Sequence, residues 1–304
     1  MKEIPLEAAD RRNSAGEGAE EPHPGWVAQD DYRMLSMEFT IKSMDERFAE
    51  SLRWHLGPFL LAGPAPGGLP VELVTEEATG QPGYTFRFAT HERFHTPMLA
   101  DAISKAVWDL HRSVHDQVRD FLLLHAGGAA LGDQAILLPA GTASGKSSLT
   151  LGLLEKGFSY LSDDLGAIDP VTERVYPFPK RIKLIPDVFG SFPGLEERLE
   201  DRKAVPFRLW ERFARPEDVG ARVADPASIR WLVFPTADFD GPPRLLPMSK
   251  AASVKEMAAN CFNLYRYGER GVVLLTRIAQ EAQAFRLEGG SLTERVDLLA
   301  DRLR

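Results

Sequence analysis

The sequence predicts an α/β fold preceded by a small α+β lobe, and three observations predict it. The first is the stretch Ala135-Ile-Leu-Leu-Pro-Ala-Gly-Thr-Ala-Ser-Gly-Lys-Ser-Ser-Leu149. Here a short apolar run reads as a buried strand, passes into small residues and enters an apolar-periodic helix. The second is a pair of strand-like runs, Leu69 to Val74 and Tyr84 to Ala89, joined through the turn around Gly80 and Gly83. The third is a long helix after Thr96-Pro97, with Leu99, Ile103, Val107, Leu110, Val114 and Val118 on one face. It divides the chain into an aperiodic tail (1–28), an N-terminal α+β lobe (29–118) and a main domain (119–304).

The lobe opens with a strand over Met34 to Lys42. A capping box of Ser43 and Glu46 then starts a helix carrying Phe48, Leu52 and Leu56, which Gly57-Pro58 stops. In the main domain Phe121 to Leu131 reads as a strand, turned at Gly132-Asp133 into the strand before the glycine-rich loop. The helix after Lys146 ends at Gly157. Phe158 to Leu161 is a strand delivering Asp163 and Asp164 at its C-terminal end. Arg174 to Leu184 reads as a hairpin arm carrying Lys180, Arg181 and Lys183. Arg230 to Phe234 and Phe285 to Leu287 are strands, Ser249 to Phe262 and Glu269 to Gln280 helices. A Ser291/Glu294 capping box opens the last helix.

Composition narrows the function. The chain has 304 residues and a net charge of −8, which argues against a nucleic-acid backbone as partner. The single cysteine, Cys261, excludes a disulfide framework and a cysteine zinc site. No apolar run approaches a membrane span and no signal-peptide core stands at the N-terminus, so a cytoplasmic protein is expected. The tail 1–28 is too poor in apolar side chains to offset its ordering entropy.

The chemistry centres on the glycine-rich loop. Strand, small-residue turn and helix N-terminus together make an anion site, because backbone N–H groups converge there and the helix dipole adds positive potential. Gly141, Thr142, Ala143, Ser144, Gly145, Lys146, Ser147 and Ser148 are the expected nucleotide-binding residues. Lys146 would reach the outer phosphates and Ser147 a Mg²⁺ ion. The first glycine of the usual GxxxxGK[ST] pattern is replaced by Ala140, which is tolerable if that residue sits at negative φ.

Asp163 and Asp164 form the second element. A strand-end acid beside a phosphate loop can bind Mg²⁺ or accept a proton, and two adjacent acids on a strand end point opposite ways. His125 is the one histidine in an otherwise apolar strand; it meets either a phosphate oxygen or the acid pair, or else a carbonyl of the core. Lys180, Arg181 and Lys183 are either charge stabilisers or a solvated edge. The basic-aromatic segment 198–215 is either a docking surface or a packed amphipathic stretch.

The succession Leu-His125-Ala-Gly-Gly, Leu-Leu-Pro-Ala-Gly-Thr-Ala-Ser-Gly-Lys146-Ser and Tyr-Leu-Ser-Asp163-Asp164 resembles the catalytic domain of HPr serine kinase/phosphorylase. It is closest to the peptide-kinase branch associated with ribosomal-peptide (lasso-peptide-type) modification. The likeness is specific from about Leu122 to Leu184. It implies a phosphoenolpyruvate carboxykinase-like core, a mixed sheet with flanking helices and a phosphate loop. It further implies an ATP- and Mg²⁺-dependent kinase acting on a serine of a peptide or small protein. Asp163 would be the base, His125 an active-site residue, Lys146 with Arg181 or Lys183 the charge stabilisers, and Ser147 with Asp164 the metal ligands. HPr kinases form hexamers, so a homo-oligomer is the implied assembly. The glycine- and arginine-rich signature of the bifunctional enzymes has no counterpart here, which removes the ground for phosphorolysis. Two rival readings stay open: an ATP-binding regulatory module without turnover, and a small-molecule kinase with an enclosed pocket.

Overall fold

The computed structural model describes residues 25–65, 67–89, 91–142, 144–184, 186–199 and 212–303. Ala143 of the expected loop, most of the stretch 1–28 and the centre of the segment 198–215 lie outside the described residues.

The N-terminal lobe is a sheet with helices packed on it. Its elements are Ala28–Met34 (β1), Met37–Ser43 (β2), Glu46–Leu56 (α1), Leu69–Thr75 (β3), Glu76–Thr79 (α2), Tyr84–Phe88 (β4), His91–Thr96 (β5) and Leu99–Gln117 (α3). The sheet runs β1-β2-β3-β4-β5, antiparallel except for the β2–β3 pair. Strand β2 buries Met37, Phe39 and Ile41 at alternate positions, so one face of the lobe is core.

Three expectations for this lobe change. The run Met34 to Lys42 is not one strand but the hinge of a hairpin, since Met34 pairs with Met37 across Leu35-Ser36. Leu35 takes the turn at φ 55° without any Gly, Asn or Asp to mark it. Helix α1 is capped by Asp45 rather than by a Ser43/Glu46 box. The Asp45 carboxylate accepts from the Arg47 and Phe48 amides, at 2.9 and 3.4 Å, while Ser43 braces Asp45 from outside. Strand β5 was not expected at all.

The main domain contains Leu122–Leu131 (β6), Gln134–Pro139 (β7), Lys146–Glu155 (α4), Ser159–Ser162 (β8), Leu165–Ile168 (β9), Arg174–Tyr176 (β10) and Ile182–Leu184 (β11). Leu195–Arg198 (α5), Arg212–Ala214 (β12), Ala227–Pro235 (β13) and Arg244–Pro247 (β14) follow. The chain closes with Lys250–Ala259 (α6), Leu264–Tyr267 (α7), Glu269–Glu281 (α8), Gln283–Glu288 (β15) and Leu292–Arg302 (α9). The central sheet runs β10-β9-β6-β7-β13-β15-β14, with β8 also on β6. Strand β13 is parallel to β7 and to β15, and the other pairs are antiparallel, so the domain is mixed α/β. The Ser291/Glu294 capping box on α9 is present.

The expected hairpin arm 174–184 is corrected. Strand β10 pairs with β9 and β13, whereas β11 pairs with β12. Pro177 and Pro179 separate them, and a residue without an N–H cannot extend a ladder. After this break Lys180 stays against β8, paired with Asp163, while Arg181 reaches the other lobe at the Trp54 carbonyl.

Two glycines let α4 sit where it does. A Cβ on Gly127 of β6 would lie 2.6 Å from Thr150 Oγ1, and one on Gly152 would lie 2.3 Å from Val296 Cγ2. Helix α4 is therefore pressed between β6 and α9, which fixes its N-terminus over the sheet. The two lobes share a core: Leu123, Leu165, Ala167 and Phe178 pack with α1 and α3. Among the described residues no helix is long and apolar enough to cross a membrane.

Candidate active site

The hairpin β6–β7 and helix α4 build the loop. Gly145 is the N-cap of α4 at φ 86°, a left-handed conformation that an L side chain adopts only with strain. No side chain caps this helix, so its first N–H groups are left for an incoming anion. Ala140 is not among the residues at positive φ, so alanine fits where the loop pattern has its first glycine. Lys146 is 5% exposed and its Nζ donates to the Gly141 carbonyl at 2.7 Å. Ser144 Oγ donates to the same carbonyl at 2.9 Å, which closes the loop on itself. Burial lowers the Lys146 pKa from its ordinary value, and Asp164 and Asp163 work against that shift.

The two aspartates occupy the turn between β8 and β9 and face opposite ways. Asp163 is 1% exposed, accepts from Tyr160 Oη at 3.0 Å and pairs with Lys180 Nζ at 2.8 Å. It does not line the cleft. Burial would depress the Lys180 pKa, but Asp163 and Asp164 outweigh burial and raise it. Burial, reinforced by the Asp163 charge, holds the Tyr160 hydroxyl protonated.

Asp164 is half exposed and opens into the cleft, where its Oδ1 meets His125 Nε2 at 3.0 Å. Burial opposes its ionisation. The His125 hydrogen bond and the charges of Lys180 and Lys146 prevail, holding the carboxyl well below the usual carboxylate range. The backbone fixes this pair: His125 N donates to Asn260 O at 2.7 Å and Ala126 N to Asp164 O at 3.2 Å.

These groups line one cleft of about 1530 Å³ between the lobes. Thr142, Ser144, Gly145, Lys146, Ser147 and Ser148 line it together with His125 and Asp164. Arg181 and Lys183 also line it. Arg181, however, donates to the Trp54 carbonyl at 2.8 Å and lies over the Trp54 ring, so it clasps the lobes together. Lys183 is exposed. Of the described lining residues seven are Lys or Arg and two are Asp, in a chain whose net charge is −8. That concentration of positive charge suits a polyanion.

Several lining residues were not expected. Lys180 was noted only as part of a basic cluster, yet it holds Asp163. Helix α3 adds Trp108, His111 and His115 to the cleft, and α1 adds His55. His111 and His115 are four apart on one helix, a spacing that places them on one face and was legible. His111 Nε2 is buried without a hydrogen-bond partner among the described residues, and burial beside Lys180 pushes the imidazole down to about 3. Burial also lowers His55 and His115, and His115 stacks on Phe262 with ring centroids 3.9 Å apart.

Among the described residues no group of three or more His, Cys, Asp or Glu is placed to hold a metal ion. Mg²⁺ keeps several waters and leans on substrate phosphates rather than on an all-protein cage. Ser147, at the head of α4 in the cleft, is suited to hold it. No protein-family model matches the chain, and no curated protein matches it.

Proposed function

We propose that the protein is an ATP- and Mg²⁺-dependent kinase that transfers the γ-phosphoryl group to a hydroxyl, most readily a serine, of a peptide or small protein. One observation carries the reading: the Lys146 loop and the His125–Asp164 pair open into the same positively charged cleft. The reading includes a phosphoenolpyruvate carboxykinase-like core and kinship with the peptide-kinase branch of the HPr kinase group.

Lys146 and the N–H groups that begin α4 bind the phosphates and stabilise charge on the transferring group. Lys146 keeps donors beyond the one given to Gly141. Mg²⁺, when bound, would supply charge neutralisation to the phosphates, with Ser147 Oγ placed to hold it. Asp163 is the residue whose expected role changes. Its carboxylate is buried against Tyr160 and Lys180, so the proton-accepting role falls to Asp164 and the metal role attached to Asp164 is withdrawn.

Because Asp164 Oδ1 is taken by His125, Oδ2 receives the acceptor proton. The acceptor oxygen forms its bond to the γ-phosphorus as the bond to the β-phosphate oxygen breaks, and ADP leaves. A strongly acidic carboxyl is adequate here, since phosphoryl transfer is largely dissociative and needs little nucleophile activation. His125 is a positioning residue: it holds Asp164 in one orientation.

A cleft of about 1530 Å³ leaves room for an acceptor beside a nucleotide. The test is incubation with Mg²⁺ and γ-labelled ATP in the presence of serine-containing peptides. Label is expected in phosphoserine; nucleotide binding without transfer to any hydroxyl would favour a regulatory module.

A further inference from the structure

Phe239 is apolar, 54% exposed, and lines the same cleft as Lys146 and Ser148. It stands in the loop between β13 and β14, and that loop is held from two directions. Arg295 of α9, only 1% exposed, donates to the carbonyls of Gly289 at 2.7 Å and Thr236 at 2.9 Å and also to that of Asp238. The amides of Gly289 and Gly290 donate to Asp238 O and Gly241 O at 3.0 and 2.8 Å. Three carbonyls thus surround a buried guanidinium whose Cζ lies 4.2 Å from the Phe239 ring centroid. One face of the ring is covered by a fixed cation and the ring is still more than half exposed.

A buried arginine with no acidic partner at hydrogen-bond distance among the described residues is a costly way to secure a surface loop. Its arrangement is explained if the ring it supports has work to do. An aromatic ring backed by a guanidinium and open on its other side is a stacking surface, and every nucleobase has a π-face to lay on it. Its place in the cleft matters equally. Close packing of Gly152 against Val296 sets α9 beside α4, and Arg295 and Phe239 line the same cleft as the phosphate loop.

We propose that Phe239 is the platform for the base of the phosphate donor, which makes that donor a nucleoside triphosphate rather than a bare polyphosphate. This rests on the loop being a triphosphate site, and deepens it by assigning the other end of the same ligand. Phosphate binding and base stacking are carried by separate elements, the loop by β7–α4 and the platform by β13–β14.

The probes are Mg²⁺-ATP and Mg²⁺-tripolyphosphate, titrated calorimetrically into the full chain, its Phe239→Ala variant and its Phe239→Tyr variant. The wild-type chain is expected to bind ATP at least about tenfold tighter than tripolyphosphate, the scale of one base stack. Phe239→Ala erases that advantage and leaves tripolyphosphate binding unchanged, which also shows the variant is folded. Phe239→Tyr retains it. Equal ATP affinity in wild type and Phe239→Ala, with tripolyphosphate binding intact, overturns the platform alone. If neither probe binds the wild-type chain, the triphosphate site itself fails and the platform with it.

Discussion

The two sides of the cleft are built in different ways. The loop side is local: one hairpin, one helix and the fifteen residues Ala135 to Leu149 set it, with backbone N–H groups and one lysine as its tools. The α3 side is assembled from distant segments. His111 and His115 come from α3, His125 from β6, Phe178 and Lys180 from the proline-broken stretch after β10, and Phe262 from the segment between α6 and α7. On the proposed reading, the loop side holds its charge where phosphates would lie. The other side buries the imidazoles of His111 and His115 and aromatic rings beside the Asp164 carboxylate. A donor needs a rigid cradle of backbone, whereas the acceptor's proton needs one oriented side chain.

That division sets the sizes of the effects expected on each side. Lys146→Ala removes the loop's charge and is expected to lower kcat/KM by about 10²–10³-fold, with weaker ATP binding by calorimetry. Unchanged nucleotide affinity would break the assignment of that side to the donor. His125→Ala acts only through Asp164. It is expected to lower kcat by roughly 10- to 100-fold, below the 10²–10⁴ of a full general base, while ATP affinity stays within about twofold. His125→Gln, which can still donate to Asp164, should recover most of the rate; no recovery would make the imidazole itself the base.

The smallest effect is on stability. His111 is held neutral, with a folded pKa of about 3 against 6.5 for a free imidazole. Above pH 6.5 its contribution to stability is fully present. As pH falls from 6.5 toward 3 the unfolded chain takes up a proton that the folded chain refuses, so stability declines, by at most about 1.4 kcal/mol per pH unit for this histidine. His55 shifts in the same direction. Replacing His111 by Phe, which suits neighbours Phe59 and Phe178, should flatten that acid slope in denaturant unfolding, whereas Lys146→Ala should leave it unchanged.

What was legible follows the same division. The loop, α4, the Gly132-Asp133 turn and the capping box on α9 are local patterns, and a sequence carries those in full. The opposed facing of Asp163 and Asp164 was also legible, because neighbours at a strand end point apart. Which of them faces the cleft was not: that depends on Lys180, seventeen residues later, arriving beside Asp163. Strand β1 and its turn at Leu35 escaped notice because Leu at positive φ carries no compositional mark. The clasp of Arg181 on the Trp54 carbonyl spans 127 residues, so no spacing rule reaches it.

The aspartate pair gives the most direct measurement. Asp163→Asn and Asp164→Asn are compared for labelled-phosphate transfer and for unfolding by denaturant. Asp164→Asn is predicted to cut transfer by about 10²–10⁴-fold, with a smaller loss of stability than Asp163→Asn. Asp163→Asn leaves Lys180 buried without its counter-charge and is predicted to cost about 3–5 kcal/mol of stability. A stable Asp163→Asn protein that has lost transfer, beside an Asp164→Asn protein that retains it, would contradict the assignment of the cleft's proton acceptor.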